Sequence, residues 1–337
     1  MKIGKYFNNA PSFKSIILIC VIRDEAYTLP SFMDHYKNLG VTHFIFILNN
    51  NTDNSEDIII DFCRKNSLDV EIYTTNERYS ESKFGLQWVH EVLNNRCKSL
   101  WCTVVDIDEF ILPNKNKSLR DIQDEMIKEK SNVLQTVLID FYPDDITQNY
   151  DHQDELNPFK QSPYYDVVRD DNNYFKTILT DKDNCTVVKG GLRHRWLNRE
   201  SPADNSSTCL TKKSFFKYDF YDSCFLDVGM HWIIPKTELM FDYSWDNLDW
   251  EAHKQNIKYH DSLFVIAHFK FIKPDIIEYF NLRVMRNEDW NGSCEYKQYI
   301  NNSNYKLYNT NFSAKFKSVD ELYNNTIEVL YELPCRS

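Results

Sequence analysis

Three acidic residues lie within four positions, directly behind an apolar run of this 337-residue chain. Asp106, Asp108 and Glu109 follow residues 100–105, whose side chains are typical of a buried strand. Side chains alternate along an extended backbone, so we expect Asp106 and Asp108 to point to one side, with Ile107 turned into the core. Two carboxylates placed in this way can share one hard cation, and Mg²⁺ or Mn²⁺ takes its remaining ligands from water and phosphate oxygens. One prediction for the motif is therefore a divalent metal site.

The alternative is a solvated turn after a strand, which has the same composition. An Asp-x-Asp pair is a weak signal when it stands alone. Here it follows a buried strand, and the apolar residues 110–113 come directly after it. This context favours the metal site.

The first third of the chain alternates between short apolar strands and amphipathic helices. Strands are predicted at residues 16–21, 41–48, 70–73 and 100–107, and helices within 25–40, 55–66 and 83–94. This order predicts a doubly wound α/β half with a parallel sheet. Ligands bind such sheets beyond the carboxyl ends of the strands, near the switch in strand order.

Three polar stretches follow the predicted strands and are expected to meet at one rim of the sheet. They contribute Arg23, Asp24, Glu25, Asn49, Asn50, Asp53, Asp106 and Asp108. Asp53 has a second interpretation as the N-cap of the helix that begins at residue 55, because Asp often fills that position. Lys83 and Gln87 are one turn apart in the predicted helix, which makes them candidates for the same pocket, although a lone lysine on a helix is usually solvated.

Beyond Pro113 the pattern predicts a helix at 118–130, a strand at 133–141 and a polar, aromatic insertion at 142–176. A strand-like run at 185–189 leads into the segment GGLRHRW. Arg193 and Arg195 fall on one side of this segment if it is extended, where they suit bidentate phosphate contacts. A solvated basic loop is the alternative. Helical runs and Asn-rich turns alternate from about residue 273, and no linker separates two domains.

The composition excludes some classes of protein. Lys+Arg 39 against Asp+Glu 50 gives a formal net charge of −11, which argues against a general nucleic-acid partner, since such proteins need a basic face. The nine cysteines are scattered without a CxxC pair, as expected for reduced thiols. The first apolar run, 16–22, is far shorter than the roughly 20 residues that span a bilayer. We therefore expect a cytoplasmic protein, with peripheral association at the inner face of the membrane also compatible.

The segment VIRDEAYTLPSFMDHYKNLGVTHFIFILNNNTDNS, followed by GLQWVHEVL and WCTVVDIDEFILP, resembles the family 2-like glycosyltransferases with a GT-A fold, particularly the branch close to family 92. Those proteins carry an Asn/Asp-Glu pair after the first strand, a second strand of the type GVxHFxIYxNxSxD and a DxDEF motif. The likeness covers residues 14–115 in order. The segments GGLRHRW, DVGMHW and VIAHFKF resemble later motifs of the branch more loosely. This chain differs in having Arg23-Asp24 before Glu25, and Asn50-Asn51 where an Asp is often found.

The resemblance implies a role for each part of the motif at the strand ends. Asp108 is the expected direct metal ligand, and Asp106 is expected to hold the ribose or the metal through water. Glu109 is more suited to fixing the turn or meeting the sugar than to binding metal. The residues expected to contact the nucleotide sugar are Arg23, Asp24, Glu25, Asn49, Asn50, Asp53, Lys83, Gln87, Asp106, Arg193 and Arg195.

Later residues are implied more loosely. His268 in VIAHFKF corresponds to a late histidine that contacts the metal or diphosphate, although a histidine in such an apolar run is more often a core residue. His231 in DVGMHW is expected near the acceptor or diphosphate. Asp227 is a candidate general base, which an inverting transferase needs and a retaining one does not.

The resemblance implies a single GT-A-type α/β domain over 1–337, with a mixed, mainly parallel sheet flanked by helices. Residues 14–115 form the nucleotide-sugar half, 131–272 an α+β acceptor-side half, and 273–337 a helical C-terminal extension. The expected activity is transfer of a sugar from a nucleotide-diphosphate donor, with a UDP-sugar preferred, to a glycan or lipid-linked acceptor, in surface polysaccharide or glycoconjugate synthesis. Mn²⁺ or Mg²⁺ is the expected cofactor.

Two other functions stay open at this point. A nucleotidyltransferase shares the α/β half and the acid pair, but usually has a Gly-rich loop with Lys or Arg after its first strand, and residues 20–25 contain no glycine. A catalytically inactive carbohydrate-binding protein can keep the same fold. The presence of both Asp106 and Asp108 favours an enzyme.

Overall fold

The computed structural model describes residues 2–7, 10–147, 157–169, 175–180, 185–196, 209–236, 250–301 and 306–332. The strands in these ranges are β1 Lys2–Phe7, β2 Ile16–Ile22, β3 His43–Asn49, β4 Asp69–Thr75, β5 Trp101–Val104, β6 Glu109–Leu112, β7 Val133–Tyr142, β8 Tyr164–Asp166, β9 Phe175–Thr180, β10 Cys185–Gly190, β11 Thr211–Lys217, β12 Cys224–Leu226, β13 Ile233–Pro235, β14 Phe264–His268 and β15 Ser313–Lys315. The α-helices are α1 Leu29–Asn38, α2 Ser55–Asn66, α3 Leu86–Arg96, α4 Leu119–Glu129, α5 Pro158–Gln161, α6 Gly191–Trp196, α7 Trp250–Asn256, α8 Ile276–Arg286, α9 Trp290–Asn301, α10 Val319–Asn325 and α11 Ile327–Glu332. Short 3₁₀ turns lie at Asn114–Asn116 and Val228–Met230.

One large mixed sheet carries most of the strands. Its order is β1-β4-β3-β2-β5-β11-β7-β14-β6, with β8 also paired to β7 and β15 paired to β8. Strands β2, β3, β4, β5, β7 and β14 run in one direction, and β1, β6, β8 and β11 run in the other. The predicted mixed, mainly parallel α/β sheet is confirmed. The carboxyl ends of its parallel strands form one common rim.

Both faces of the sheet are buried, which explains why the strands are continuously apolar. Ile16 and Leu18 of β2 belong to the core on the side of α1 and α2. Ile17 and Ile19 alternate with them and pack on the opposite side with α3. The helices are thereby fixed to the sheet, and the loops at the rim are held in place by a rigid scaffold.

A buried ion pair also fixes α3 to the sheet. Glu71 of β4 is 1% exposed and accepts hydrogen bonds from Arg96 at the end of α3, the shortest at 2.6 Å. The Tyr73 hydroxyl donates to the same carboxylate over 3.0 Å. Burial alone would raise the pKa of Glu71, but His43, Arg96 and Tyr73 around the carboxylate lower it to about 2.

The predicted elements are largely present, with three local corrections. β5 ends at Val104, so Asp106 and Asp108 lie in a turn rather than on a strand, and Glu109 begins β6. α3 begins at Leu86, because residues 83–85 have φ of 53°, 57° and 80° and cannot continue a right-handed helix. The segment GGLRHRW is the helix α6 and is not extended.

Part of the chain lies outside these predictions or outside the described ranges. The predicted insertion includes 148–156 and 170–174, which lie outside the described residues. The C-terminal region contains α8 to α11, as expected for a helical extension, together with β15, which pairs with β8. None of the helices in the described part of the chain is long and apolar enough to cross a membrane. Free cysteine thiols are found at Cys20, Cys63, Cys97, Cys102, Cys209, Cys224 and Cys294.

Candidate functional site

A cleft of about 260 Å³ opens at the carboxyl rim of the sheet, and we call it the rim cleft. Eight of the residues predicted for the site line it: Arg23, Glu25, Asn49, Asp106, Asp108, Arg193, His231 and His268. Lys212, Lys270, Tyr279, Arg283 and Tyr296 are among the further lining residues. The cleft thus unites the ends of β2, β3, β5, β11 and β14 with one wall made by α8 and α9.

Glu109 fixes the acidic turn. Its backbone N–H donates to the Asp106 carbonyl over 3.1 Å, and its carboxylate accepts from the Asp106 N–H over 3.1 Å. The other carboxylate oxygen is paired with Lys212. These contacts end β5 early and turn the chain, which leaves the Asp106 side chain 61% exposed and that of Asp108 23% exposed. Of the two roles expected for Glu109, these contacts agree with fixing the turn.

The Lys212–Glu109 pair is buried, with side chains 4% and 2% exposed. Lys212 also lies 3.5 Å from Asp106. Burial and the charge of Asp106 raise the pKa of Glu109, against the opposing effect of Lys212. Burial alone would lower the pKa of Lys212, but Glu109 and Asp106 outweigh it and raise the pKa well above its usual range. A positive charge therefore lies directly beneath the acidic turn.

His268 lies between two carboxylates. Its Nδ1 donates to Asp140 Oδ1 over 2.6 Å, and its Nε2 lies 3.4 Å from Asp108 Oδ2. Asp140 is on β7 and pairs in register with His268 on the parallel neighbour β14. The second oxygen of Asp140 accepts from Arg193 Nε over 3.1 Å. Asp108, His268, Asp140 and Arg193 therefore form one continuous polar array across the floor of the cleft, which we call the floor array.

The charges of the floor array stabilise one another. Burial alone would raise the pKa of Asp108 and of Asp140, but the first is held well below its usual range by His268, Lys270 and Lys273, and the second by Arg193 and His268. Burial alone would lower the pKa of His268, but Asp108 and Asp140 raise it to about 9. The floor array therefore stabilises a positively charged group beside Asp108.

Arg193 and Arg195 do not lie on one side. Gly190 and Gly191, with φ of 126° and 79°, turn the chain out of β10 and into α6. Two positions along a helix correspond to about 200°, so the two side chains diverge. Arg193 enters the cleft, whereas Arg195 binds Asp166 over 2.9 Å and the Leu307 carbonyl over 3.0 Å. Arg195 thus holds α6 against β8 and does not line the rim cleft.

His231 enters the cleft from the segment after β12. Its Nδ1 lies 2.7 Å from the Thr211 carbonyl, which can only accept, so Nδ1 carries the proton and the neutral ring leaves Nε2 as an acceptor. Burial and the nearby Lys212 lower the pKa of His231 to about 3. Gly229 has φ of 72°, and a Cβ there would lie 2.8 Å from the His231 ring. Asp227, four residues earlier, is not among the residues that line the cleft.

The loop after β2 is tied to the C-terminal region by three consecutive residues. Arg23 pairs with Glu288 at 3.1 Å, Asp24 pairs with Arg286 at 3.4 Å, and Glu25 pairs with Lys273. We call this set the charge clasp. It places the wall formed by α8 and α9 beside the end of the sheet where the nucleotide is expected.

Asp24 and Asp53 stabilise neighbouring loops. Asp24 Oδ1 accepts from the backbone N–H of Thr52 over 2.6 Å. Asp53 accepts from the backbone N–H of Ala26 over 2.9 Å and from that of Ser55 over 3.0 Å. Burial would raise the pKa of Asp53, but these hydrogen bonds lower it. The N-cap of α2 is Asn54, so the prediction that Asp53 is the N-cap is off by one residue; Asp53 instead binds the N–H of Ser55, the first residue of the helix.

Of the remaining predicted residues, Asn49 lines the cleft, whereas Asn50, Lys83 and Gln87 are not among the lining residues. Asn49 donates to the carbonyls of Thr75 and Glu77, over 3.3 Å and 2.8 Å, and lines the cleft. Asn50 has φ of 51° and forms the turn after β3. Lys83 lies in the turn before α3 and Gln87 is exposed on that helix, so the structure does not bring them together in the cleft.

The family model described as Glycosyltransferase family 92 matches residues 19–316, most of the chain. The chain belongs to glycosyltransferase family 92. It is therefore a glycosyltransferase, which decides against the nucleotidyltransferase alternative. No curated protein is significantly similar to it in sequence.

Solved structures give distant likenesses to this family 92 chain. TarS 1-349 of S. aureus is 12% identical, covering 86% of this chain and 72% of that one, with a TM-score of 0.39. The same TarS fragment in complex with UDP is 10% identical over 83% and 68%, with a TM-score of 0.37. HddC from Yersinia pseudotuberculosis is 12% identical over 74% and 90%, with a TM-score of 0.33. At these scores the likenesses carry no argument about donor or acceptor.

Several charged residues in or beside the family 92 cleft were not predicted, among them Asp140, Lys212 and Lys270. Each lies in or directly after an apolar strand, where a buried charge is rare unless it is paired. The segments LIDFY and TKKSFF contain such charged residues, but the sequence does not show which residues pair with them. The partners are as far away as Asp140 from His268, 128 positions along the chain.

Proposed function

We propose that this family 92 enzyme moves a sugar from a nucleotide-diphosphate donor, a UDP-sugar above others, to a hydroxyl of a glycan or lipid-linked acceptor, with Mn²⁺ or Mg²⁺ as cofactor. The observation that carries the proposal is the pairing of Asp108 with His268 at the floor of the rim cleft. Carboxylate and imidazole are a donor set that suits Mn²⁺, and one or two protein ligands leave room for diphosphate oxygens.

The residues present fit such a cation. Asp108 Oδ2 and His268 Nε2 lie 3.4 Å apart and both face the cleft, while Asp140 holds the other ring nitrogen of His268. Within the described ranges, no group of three or more His, Cys, Asp or Glu side chains is arranged to hold a metal by itself. The donor diphosphate and water would therefore complete the ligand set, with the exposed Asp106 reaching the ribose or a metal-bound water. When bound, the cation neutralises the charge that develops on the nucleoside diphosphate.

The chain's own residues supply the remaining functions of the cleft. Arg23, Glu25 and Asn49 border the nucleotide end. His231 Nε2 accepts a hydrogen bond from the acceptor hydroxyl and orients it toward the donor, because Nδ1 is fixed on the Thr211 carbonyl. Its low pKa makes it a weak proton acceptor. Asp227 stays the sequence-based prediction for the general base.

The same proposal divides the chain into two functional parts. Residues 14–115 would bind the donor and 131–272 the acceptor, and the cleft lies between their strand ends. A role in surface polysaccharide or glycoconjugate synthesis is the pathway we propose, with the acceptor presented as a glycan or as a lipid-linked chain. Cytoplasmic location and peripheral membrane association belong to the same proposal.

A donor screen tests the function. The full chain is incubated with each nucleotide sugar and Mn²⁺, and both the release of nucleoside diphosphate and the binding of donor are measured. We expect one donor class to bind in a metal-dependent way, and Asp108→Ala to abolish the release. Asp34→Ala is the matched control, because Asp34 is 55% exposed on α1 and its partners Lys37 and Asn38 belong to the same helix.

Two results would reject the proposal. One is the absence of binding to any donor by a folded protein. The other is donor binding and turnover that persist unchanged with chelator and in Asp108→Ala.

A further inference from the structure

We propose that Asp140 is a positioning residue that serves both halves of the cleft: it orients His268 toward the cation and Arg193 toward an anionic oxygen of a substrate. This inference rests on the metal-dependent function proposed above. No sequence motif described here includes Asp140. It contacts neither the donor nor the acceptor in this proposal and acts only through its two neighbours.

Each oxygen of Asp140 has one donor. The carboxylate is 2% exposed, with Oδ1 2.6 Å from His268 Nδ1 and Oδ2 3.1 Å from Arg193 Nε. Strand pairing fixes the first contact, because Asp140 and His268 are register partners on parallel strands. A buried carboxylate held in this way cannot turn without breaking one of two charge-assisted hydrogen bonds.

The contact with His268 determines what that ring presents to the cleft. With Nδ1 bound to Asp140, Nε2 is the atom directed toward Asp108. Histidines that bind metals commonly donate their other ring N–H to a carboxylate, which fixes the ring and makes it a better ligand. The removal of such a partner typically weakens metal binding by roughly 10- to 100-fold.

The contact with Arg193 leaves most of its guanidinium available. Among the described residues, Arg193 makes a hydrogen bond only through Nε, and its side chain lines the cleft at 13% exposure. The two terminal nitrogens make no hydrogen bond to a described residue, and such a pair can bind a phosphate or carboxylate oxygen through two hydrogen bonds. The oxygen they bind belongs either to the donor diphosphate or to an anionic group on the acceptor.

Asp166 shows what a purely structural carboxylate looks like in this protein. It also binds an arginine of α6, but Arg195 uses both Nε and Nη2 on Asp166 and gives its other donors to the Leu307 carbonyl. Asp166 also accepts from the Tyr142 hydroxyl. Nothing in that cluster lines the rim cleft, so Asp166→Asn is the matched control for the loss of a buried carboxylate beneath α6.

The test measures metal binding without turnover. Mn²⁺ is titrated into the metal-free full chain, and free Mn²⁺ is followed by electron paramagnetic resonance. We expect Asp140→Asn to weaken Mn²⁺ binding by roughly 10- to 100-fold, and Asp166→Asn and Arg193→Gln to leave it within about twofold of the wild type. In a His268→Gln background, Asp140→Asn should have little further effect, because the residue acts through His268.

A second arm identifies the oxygen that Arg193 binds. UDP affinity is measured by calorimetry with Mn²⁺ present, and acceptor KM is measured with the donor found in the screen. Weaker UDP binding by Arg193→Gln assigns the oxygen to the donor, whereas an unchanged UDP affinity with a raised acceptor KM assigns it to the acceptor. If neither changes, the role of Arg193 is rejected.

The outcomes separate this inference from the function on which it rests. If the wild type binds no Mn²⁺, the proposed metal dependence fails and the role of Asp140 toward His268 fails with it. If the wild type binds Mn²⁺ and folded Asp140→Asn binds it equally well, only the role of Asp140 is rejected. Should Asp140→Asn fail to fold, Asp140→Glu replaces it, because it keeps the charge but moves the carboxylate by one methylene. Undiminished Mn²⁺ affinity in that variant would reject the positioning role.

Discussion

Replacement of Lys212 by methionine tests how much the buried ion pair of Lys212 and Glu109 contributes to the stability of the fold. Lys212 is 4% exposed and is the cation that faces Glu109, itself 2% exposed. Lys212→Met keeps most of the side-chain volume but leaves Glu109 as a buried carboxylate with the Asp106 charge close by. Breaking a buried ion pair at one partner typically costs about 3–5 kcal/mol. Glu109→Gln should cost less, about 1–3 kcal/mol, because Lys212 keeps Asp106 at 3.5 Å.

The cost of Lys212→Met should depend on pH with a definite sign. Loss of the lysine raises the folded-state pKa of Glu109 further above its unfolded value of about 4.3. The folded state then binds a proton more tightly than the unfolded state, so the variant is least penalised at low pH and loses stability as pH rises through the folded pKa. The penalty should therefore be clearly larger at pH 8 than at pH 5.

Urea unfolding followed by the fluorescence of the chain's seven tryptophans measures both effects. The control is Lys254→Met, whose exposed pair with Glu251 should contribute less than about 1 kcal/mol. The double variant Lys212→Met with Glu109→Gln should be more stable than Lys212→Met alone, because no buried charge is left without a partner. A penalty below 1 kcal/mol at pH 8, or one that is the same at pH 5 and pH 8, would refute this account.

Three further predictions concern other parts of the fold. Glu71→Gln should remove about 3 kcal/mol of stability at neutral pH. The difference in stability from the wild type should vanish as the pH falls from about 4.3 to about 2. Acid unfolding curves that are the same for both proteins would contradict this prediction. Gly229→Ala should lower kcat, since a Cβ would displace the ring of His231, and should cost roughly 1–2 kcal/mol of stability because alanine is strained at a φ of 72°. Unchanged turnover would show that the ring position is not critical. Lys273→Met should destabilise the fold by about 3–5 kcal/mol, because Glu25 would keep a buried charge without its cation. Urea unfolding measures this cost. A loss of stability as small as that of Lys254→Met would disprove the prediction.

The first third of the fold was predictable because its signals are local. The helix Ser55–Asn66 and the strand Ile16–Ile22 follow from the spacing of apolar side chains and from Asn and Ser at their ends. The convergence of the polar stretches at one rim followed from the parallel order of the strands. These inferences needed only the pattern of neighbouring residues.

The remaining parts depend on contacts that are distant in the sequence. Periodicity extended the strand that begins near residue 100 through the acidic motif, but the side chain of Glu109 ends it, in partnership with Lys212 from a strand 103 positions later. The divergence of Arg193 and Arg195 required knowledge that two glycines start a helix there. Asp140 was passed over because a single acid in an apolar strand gives no indication of which distant histidine it meets.

The charge clasp has a consequence for exchanging segments between relatives. Arg23 is positive and Asp24 and Glu25 are negative, and each meets an opposite charge more than 240 positions away, on Glu288, Arg286 and Lys273 respectively. A loop grafted from another member of the family would bring charges that this C-terminal region does not complement, even if the graft were ideal for a nucleotide. The loop after β2 and the C-terminal helices should therefore be exchanged together. A chimera that receives the loop alone should fold poorly, whereas a chimera that receives both segments should keep the donor preference of the protein that supplied them.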